Sequence, residues 1–376
     1  MIVRIQSCRL IGNCRDNTFL HEFFREICVK YTATLGNLSC KMKKLLLTLS
    51  LAILGCSFPI QLTLGTPTPT PTPTQLPAPT QTPPATPKPG TEKNPLILAL
   101  GISPHPSAEL IAAGEVIAAY IESHTGYRLV TIVPSSENNL VEALDKGNAH
   151  IASLSPFAYL LARENDAVTA IMASTHQGQM FYGAQFIANR ESDFISYYDA
   201  ERNENTAEAA AALQQFQDKK PCWSDNASPS AYVVPLGVLN QAQVQVISAA
   251  FLEGQSNVVR AVYADDICDF GATFIDARQL PALEANYPDV MDRVIVVWRV
   301  PNVIPYENIS LSNSLPLEMR RALQRAFIDL ILTPEGKSAI QTVYGMDELQ
   351  IAEDVMYADF ALYVKVSGLD LSTLIK

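Results

Sequence analysis

Between Thr66 and Gly90 the chain reads TPTPTPTPTQLPAPTQTPPATPKPG, and no other stretch constrains the fold as strongly. Prolines recur every two or three residues, so many backbone donors are gone and there is almost no apolar surface to bury. The segment is expected to be extended, solvated and polyproline-like, a spacer and not part of a core. At about 3 Å per residue such a tract holds whatever follows it on the order of 80 Å from whatever precedes it. The folded part must therefore lie on one side. The rest of the 376-residue chain beyond Gly90 is long enough for one large or two medium domains.

On the other side of the tract lies MKKLLLTLSLAILGC, Met42–Cys56. Lys43 and Lys44 form a positive start, Leu45 to Leu54 an apolar run, and Ile53-Leu54-Gly55-Cys56 a small-residue end. The run is too short to span a bilayer comfortably and reads as an export signal. An ordinary buried helix is the alternative, and the Thr/Pro tract that follows argues against it. The segment resembles bacterial lipoprotein signal peptides. That resemblance implies that Cys56 is lipidated and becomes the mature N-terminus. Residues 1–41 carry no clear domain pattern and are expected to be a leader upstream of a true start at Met42. Residues 42–55 are then the signal peptide and 56–93 the tether.

The net charge is −11, and no basic stripe interleaved with aromatics occurs, so a nucleic-acid partner is not expected. Without residues 1–55 the chain is more acidic still. Any anion it binds must be held by local dipoles and hydrogen-bond donors. Of the seven cysteines, Cys8, Cys14, Cys28 and Cys40 fall in the leader and Cys56 is the anchor. Cys222 and Cys268 remain, and an even pair in an oxidising compartment reads as a disulfide, with two inert buried thiols as the rival. No Cys-x-x-Cys or paired-His spacing accompanies them, so no metal site is expected, nor any cofactor. A Gly-x-Ser-x-Gly elbow, a His-Glu-x-x-His pair and a Gly-rich phosphate loop of the form Gly-x-x-x-x-Gly-Lys-Ser/Thr are all missing from the sequence, so it does not read as an enzyme. Asp265 and Asp266 lie side by side in an expected solvated turn.

From Asn94 the chain alternates strand and helix. PLILALGI is a continuous apolar run of strand length, and SAELIAAGEVIAAYIESHTGY has helical spacing with a Gly126 stop. RLVTIVP, ENNLVEALDKG, AHIASLS and PFAYLLARE continue the alternation, which predicts parallel β-α-β units. Near the end, LPLEMRRALQRAFIDLILTPEGKSAIQTVYG gives two amphipathic helices. In such folds ligands sit beyond the carboxyl ends of strands, where helix N-termini present free N–H groups. Three loops fit: GISPHPS (Gly101–Ser107), SLSPF (Ser153–Phe157) and ASPSAY (Ala227–Tyr232).

Five stretches, in order, carry a family resemblance: LVEALDKGNAHIASLSPFAYLLA, FYGAQFIANRES, ASPSAYVVPLGVL, DFGATFID and LPLEMRRALQRAFIDLILTPEGKSAI. Together they resemble the substrate-binding proteins of phosphate, phosphite and phosphonate ABC transporters, type II periplasmic binding proteins. The resemblance implies an α/β fold of two lobes joined by two crossover strands. Lobe one would comprise 94–184 and, after the return, 301–376, and lobe two would comprise 185–300. The crossovers fall near Ala184–Glu191 and Val294–Tyr306.

It also implies a site in which Ser228, Ser230 and the Ala231 backbone, in a turn that includes Tyr232, hold phosphoryl oxygens with Ser155. Tyr182 would line the cleft, Ser103 and His105 would close it, and Gln255 and Ser256 would face it from lobe two. Asp276 falls near a family acidic position that meets an ammonium group in aminophosphonate binders. Two departures stand out: Glu137 or Asn138 where a tyrosine is frequent, and Ser256 where a histidine is. His124, His150 and His176 are expected at the surface, and Trp223 and Trp298 in packing, with Trp223 as a shield beside the disulfide. The implied partners are a small oxyanion, an ABC permease and its ATPase. The protein would be a monomer on the extracytoplasmic face, touching the membrane only through its lipid. The alternative is the same fold presenting ligand to a membrane sensor, or serving another small-solute transporter.

Overall fold

The computed structural model describes residues 87–375. The leader, the signal segment, Cys56 and the tether up to residue 86 lie outside them. The Gly90 amide donates to the Asn94 carbonyl at 2.8 Å, and the Arg128 amide donates to Gly90 at 2.9 Å. The folded unit is thus fastened a few residues before Asn94.

The chain then runs β1 (Leu96–Ala99), α1 (Ala108–Thr125), β2 (Leu129–Ile132), α2 (Glu137–Asp145), β3 (Ile151–Leu154), α3 (Pro156–Glu164) and β4 (Val168–Thr175). Strand β5 (Phe181–Asn189) crosses to the second lobe. There follow a two-residue ribbon, β6 (Tyr198–Asp199) and β7 (Glu204–Asn205), then α4 (Ala209–Ala212) and β8 (Pro221–Trp223). Next come a widened turn at Pro229–Val233, α5 (Val234–Gln241), β9 (Ala250–Phe251), α6 (Gln255–Ala264) and β10 (Phe270–Phe274). Short helices α7 (Pro281–Asn286) and α8 (Val290–Arg293) precede β11 (Val294–Pro305), which returns. The chain closes with β12 (Asn308–Ser312), α9 (Leu317–Leu330), α10 (Pro334–Tyr344), β13 (Glu348–Ile351) and α11 (Ala358–Ser367).

Two sheets result, in the orders β13-β4-β12-β3-β1-β2 and β11-β5-β10-β8-β9. In the first, β1 is parallel to β2 and β3, while β12 is antiparallel to β3 and β4. In the second, β8, β9 and β10 are parallel, and β5 pairs antiparallel with both β10 and β11. The expected two α/β lobes and both crossovers are present, and the fold is that of a type II periplasmic binding protein. The reason is visible in the strands. Leu96, Leu98, Ile151, Ile309 and Leu311 are wholly buried in one core with Phe327 of α9. Ala99, Ala152 and Leu154 of the same strands are buried in the core on the other face, the near-continuous apolar pattern of a sheet covered on both faces.

Helices α9 and α10 cover the first sheet, as their amphipathic spacing implies. Helix α11 does not stay there with the rest of 301–376; it lies on α5 of the second lobe. Asn240 Nδ2 donates to the Val366 and Ser367 carbonyls at 3.1 and 3.2 Å. A Cβ on Gly237 would stand 2.2 Å from the Tyr363 carbonyl oxygen, so glycine permits this close approach. Phe360 and Val364 share a core with Val234 and Val238, and the turn at Leu371–Thr373 then reaches α3. The segment after β13 therefore touches both lobes.

Cys222 and Cys268 form a disulfide with a Cα–Cα distance of 5.7 Å. Trp223, 1% exposed, lies next to it, and Trp298 donates its Nε1 proton to the Ala207 carbonyl at 2.9 Å. Among the described residues no helix is long and apolar enough to cross a membrane.

His150 departs from expectation. It is buried, and its Nδ1 accepts a hydrogen bond from the Ile97 amide at 3.0 Å, tying the start of β3 to β1. Burial lowers its pKa below the ordinary 6.5. The folded chain thus resists a proton that the unfolded chain takes up as pH falls below that value, so stability drops through this window. Thermal unfolding between pH 7.5 and 5 should show this loss, and a His150→Gln variant should show a smaller one.

Candidate functional site

Strand β8 ends at Trp223, and the chain turns back into a helix at Ser228-Pro229. Serine is a favoured N-cap and proline suits the first helical position. Ser228 acts as that cap: its Oγ accepts from the Ala231 amide at 3.2 Å. The first turn is wide, with the Val233 amide donating to the Ser228 carbonyl at 3.0 Å. Pro235 accounts for this. It has no N–H for the Ala231 carbonyl, and its ring would crowd that oxygen in a regular turn.

Ser230, 2% exposed, has a different role. Gln255 Nε2 donates to its Oγ at 3.1 Å, while Gln255 Oε1 accepts from the Phe274 amide at 2.6 Å. Burial pushes the Tyr182 pKa far above that of an ordinary phenol, and the neighbouring Ser230 side chain works the other way. Three predicted residues thus meet. Tyr182 comes from the first crossover, Ser230 from the wide turn and Gln255 from the first position of α6. All three groups can donate a hydrogen bond, and none carries a negative charge at neutral pH.

The other predicted residues fall around this cluster in varied settings. Ala231 is fully buried in the wide turn. Tyr232 is half-buried and packs edge-on against Phe251, with ring centroids 5.0 Å apart. Ser256 is half-buried in the first turn of α6. In the first lobe, Ser155 caps α3 by accepting from the Ala158 amide at 3.4 Å. Ser103 is half-buried after β1 and donates its amide to the Pro134 carbonyl at 3.0 Å, while His105 is exposed. Asp276 follows β10, and Arg278 Nε and Nη2 grip its carboxylate while Gln185 Nε2 donates to Oδ1 at 2.7 Å. Burial acts to raise the Asp276 pKa, but the Arg278 hydrogen bonds and charge, with Gln185, outweigh it and hold the group below the usual carboxylate value.

Beside the crossovers lies a cavity of about 470 Å³, lined in part by Tyr182, Tyr306, His176, Arg299, Asn205 and Asn302. Strand β11 bulges between Val300 and Ile304, which carries Asn302 over Gly183. A Cβ on Gly183 would lie 2.6 Å from the Val300 carbonyl oxygen and 2.9 Å from Asn302 Oδ1. Tyr306 stacks on Tyr182 with centroids 4.9 Å apart and meets His176 at 4.2 Å. Arg299, Tyr306 and His176 were not singled out from sequence as lining residues. The signal was partial: Arg299 and Tyr306 lie within VIVVWRVPNVIPY, which marked the return strand. Among the described residues no group of three or more His, Cys, Asp and Glu side chains is placed to hold a metal ion.

Residues 100–357 match the sequence profile of a family described as ABC transporter, phosphonate, periplasmic substrate-binding protein. The chain belongs to this family. The phosphate-import protein PhnD of Mycolicibacterium smegmatis is 26% identical over 181 residues, 45% of this chain and 51% of that protein. The chain thus matches about half the length of this curated relative. Among solved structures, XAC2383 from Xanthomonas citri bound to chloride ion shares 14% identity at a TM-score of 0.52. The match covers 72% of this chain and 97% of that one. The same protein bound to ATP gives 0.51 with equal coverage. At this identity the likeness is one of fold.

Proposed function

We propose that this family member is an extracytoplasmic lipoprotein, anchored through Cys56, that captures a small phosphorus oxyanion and delivers it to an ABC permease and its ATPase. It acts as a monomer and reaches the membrane only through the lipid and the tether. The observation that carries the reading is the meeting of Tyr182, Ser230 and Gln255 at the start of the wide-turned helix. Hydroxyl, amide and backbone donors converge there beside a positive helix end. Such donors select an oxyanion by geometry and release it more readily than a ring of cations would. Ser155 and Ser103, at the carboxyl ends of β3 and β1, supply the first-lobe side. A solute bound to one lobe gains the other lobe's donors only when the lobes close, which shifts the population to the closed form.

Thermal unfolding in the presence of phosphate, phosphite, methylphosphonate and sulfate tests this. A phosphorus anion at about a hundred times its Kd adds roughly 2.7 kcal/mol, which should raise the midpoint by about 5 °C or more. Sulfate should do less. No shift with any phosphorus anion would remove the substrate assignment and leave the fold intact.

A further inference from the structure

Three charged side chains cluster behind the wall of the hinge cavity, and Arg299 is the one of them that lines it. Arg278 and Arg299 share one carboxylate, Asp276, so the trio holds one net positive charge. Arg278 takes up Asp276 and turns Nη1 to the Val294 carbonyl at 2.7 Å. Arg299 Nη2 stands 3.9 Å from Asp276 Oδ2, and its side chain is 20% exposed at the cavity. Asn203 Oδ1 accepts from Arg299 Nη1 at 2.6 Å, and the Tyr198 ring lies 4.2 Å below the guanidinium. These contacts hold Arg299 in place and leave its buried Nε without a partner.

No residue lining the cavity is an aspartate or glutamate. The remaining polar groups there, among them Asn205, Asn302 and His176, carry no fixed negative charge. The acid nearest Tyr306, Glu307, is exposed and does not line the space. An ammonium group would meet Arg299 with no free carboxylate beside it, because Asp276 is already engaged. An acidic group would meet a planar, fixed cation, the geometry that favours paired hydrogen bonds. Tyr182 joins the two places, since its hydroxyl meets Ser230 while its ring lines the cavity.

We infer that the solute is a phosphorus oxyanion whose organic substituent ends in a second acidic group, bound in the hinge cavity at Arg299. This rests on the oxyanion reading of the Ser230 cluster and narrows the substrate class. Calorimetric titration of the full chain with methylphosphonate, 2-aminoethylphosphonate, phosphonoacetate and 3-phosphonopropionate separates the possibilities. At least one of the two carboxyphosphonates should bind about tenfold or more tighter than methylphosphonate, and the amine no tighter. Arg299→Gln should collapse that gap to within about threefold, and Arg299→Lys should restore part of it. The wild-type ranking decides the matter even if a variant fails to fold. Carboxyphosphonates no tighter than methylphosphonate, an amine that binds best, or a preference that survives Arg299→Gln would each overturn the inference. No binding by any of the four would remove the phosphorus reading beneath it, and this inference with it.

Discussion

Replacing Cys222 and Cys268 together by serine is expected to destabilise the chain by about 4 kcal/mol on the loop-closure estimate. The two residues are separated by 46 positions, so their bridge removes much of the freedom of a long loop in the unfolded chain. Folded-state contacts at the same place do not depend on the sulfurs. The Lys220 amide donates to Asp269 Oδ2 at 2.6 Å, the Asp269 amide donates to the Lys220 carbonyl at 2.9 Å, and Cys222 pairs with Gly271 across β8 and β10. The bridge therefore acts mainly on the unfolded ensemble. The loop that it closes contains the wide turn at Pro229–Val233 and the start of α6, so loss of stability should loosen the segment that carries Ser230 and Gln255. Urea unfolding of the wild type and the double variant measures the difference as a lower midpoint. A change under about 1 kcal/mol would mean that the unfolded chain is already confined without the bridge.

The fold was legible because its signals are local. Apolar runs of four to eight residues, helical spacing and caps such as Ser107, Ser136 and Ser155 lie within short stretches, and each of these serines caps the helix that follows it. Both crossovers were placed through the family resemblance, near Ala184–Glu191 and Val294–Tyr306, where strands β5 and β11 lie. What could not be read depends on partners far apart in sequence. Helix α11 has apolar residues on more than one face, and its choice of α5 rests on Gly237, more than a hundred residues earlier, which leaves room for the Tyr363 carbonyl. His150 shows no local partner pattern because its partner is the Ile97 amide, on the neighbouring strand.

The site divides in the same way. Tyr182, Ser230 and Gln255 were each named through the family resemblance, and the structure brings them together. The serine pair was ambiguous in sequence, since either could be a plain cap. The structure separates them: Ser228 caps the Ala231 amide, and Ser230 turns to Gln255 and Tyr182. Asp276 was placed near the site, yet its engagement by Arg278, two residues on, could not be inferred from spacing. Residues two apart share a face in a strand but not in a helix, and the chain here leaves a strand for a turn. Arg299 read only as part of a strand. Its place on the cavity wall follows from the bulge after Val300 and the ribbon that carries Asn203.

If the Ser230 hydroxyl grips the oxyanion, calorimetric titration with the tightest-binding phosphorus anion should separate Ser230→Ala from the wild type. A hydrogen bond to a charged group contributes about 1.5–3 kcal/mol, so affinity should fall roughly ten- to a hundredfold. The Ser228 cap remains in the variant, so the helix start persists and the loss is one of ligand contact. An affinity unchanged within about twofold would contradict the account and leave Ser230 as a packing residue beneath Gln255.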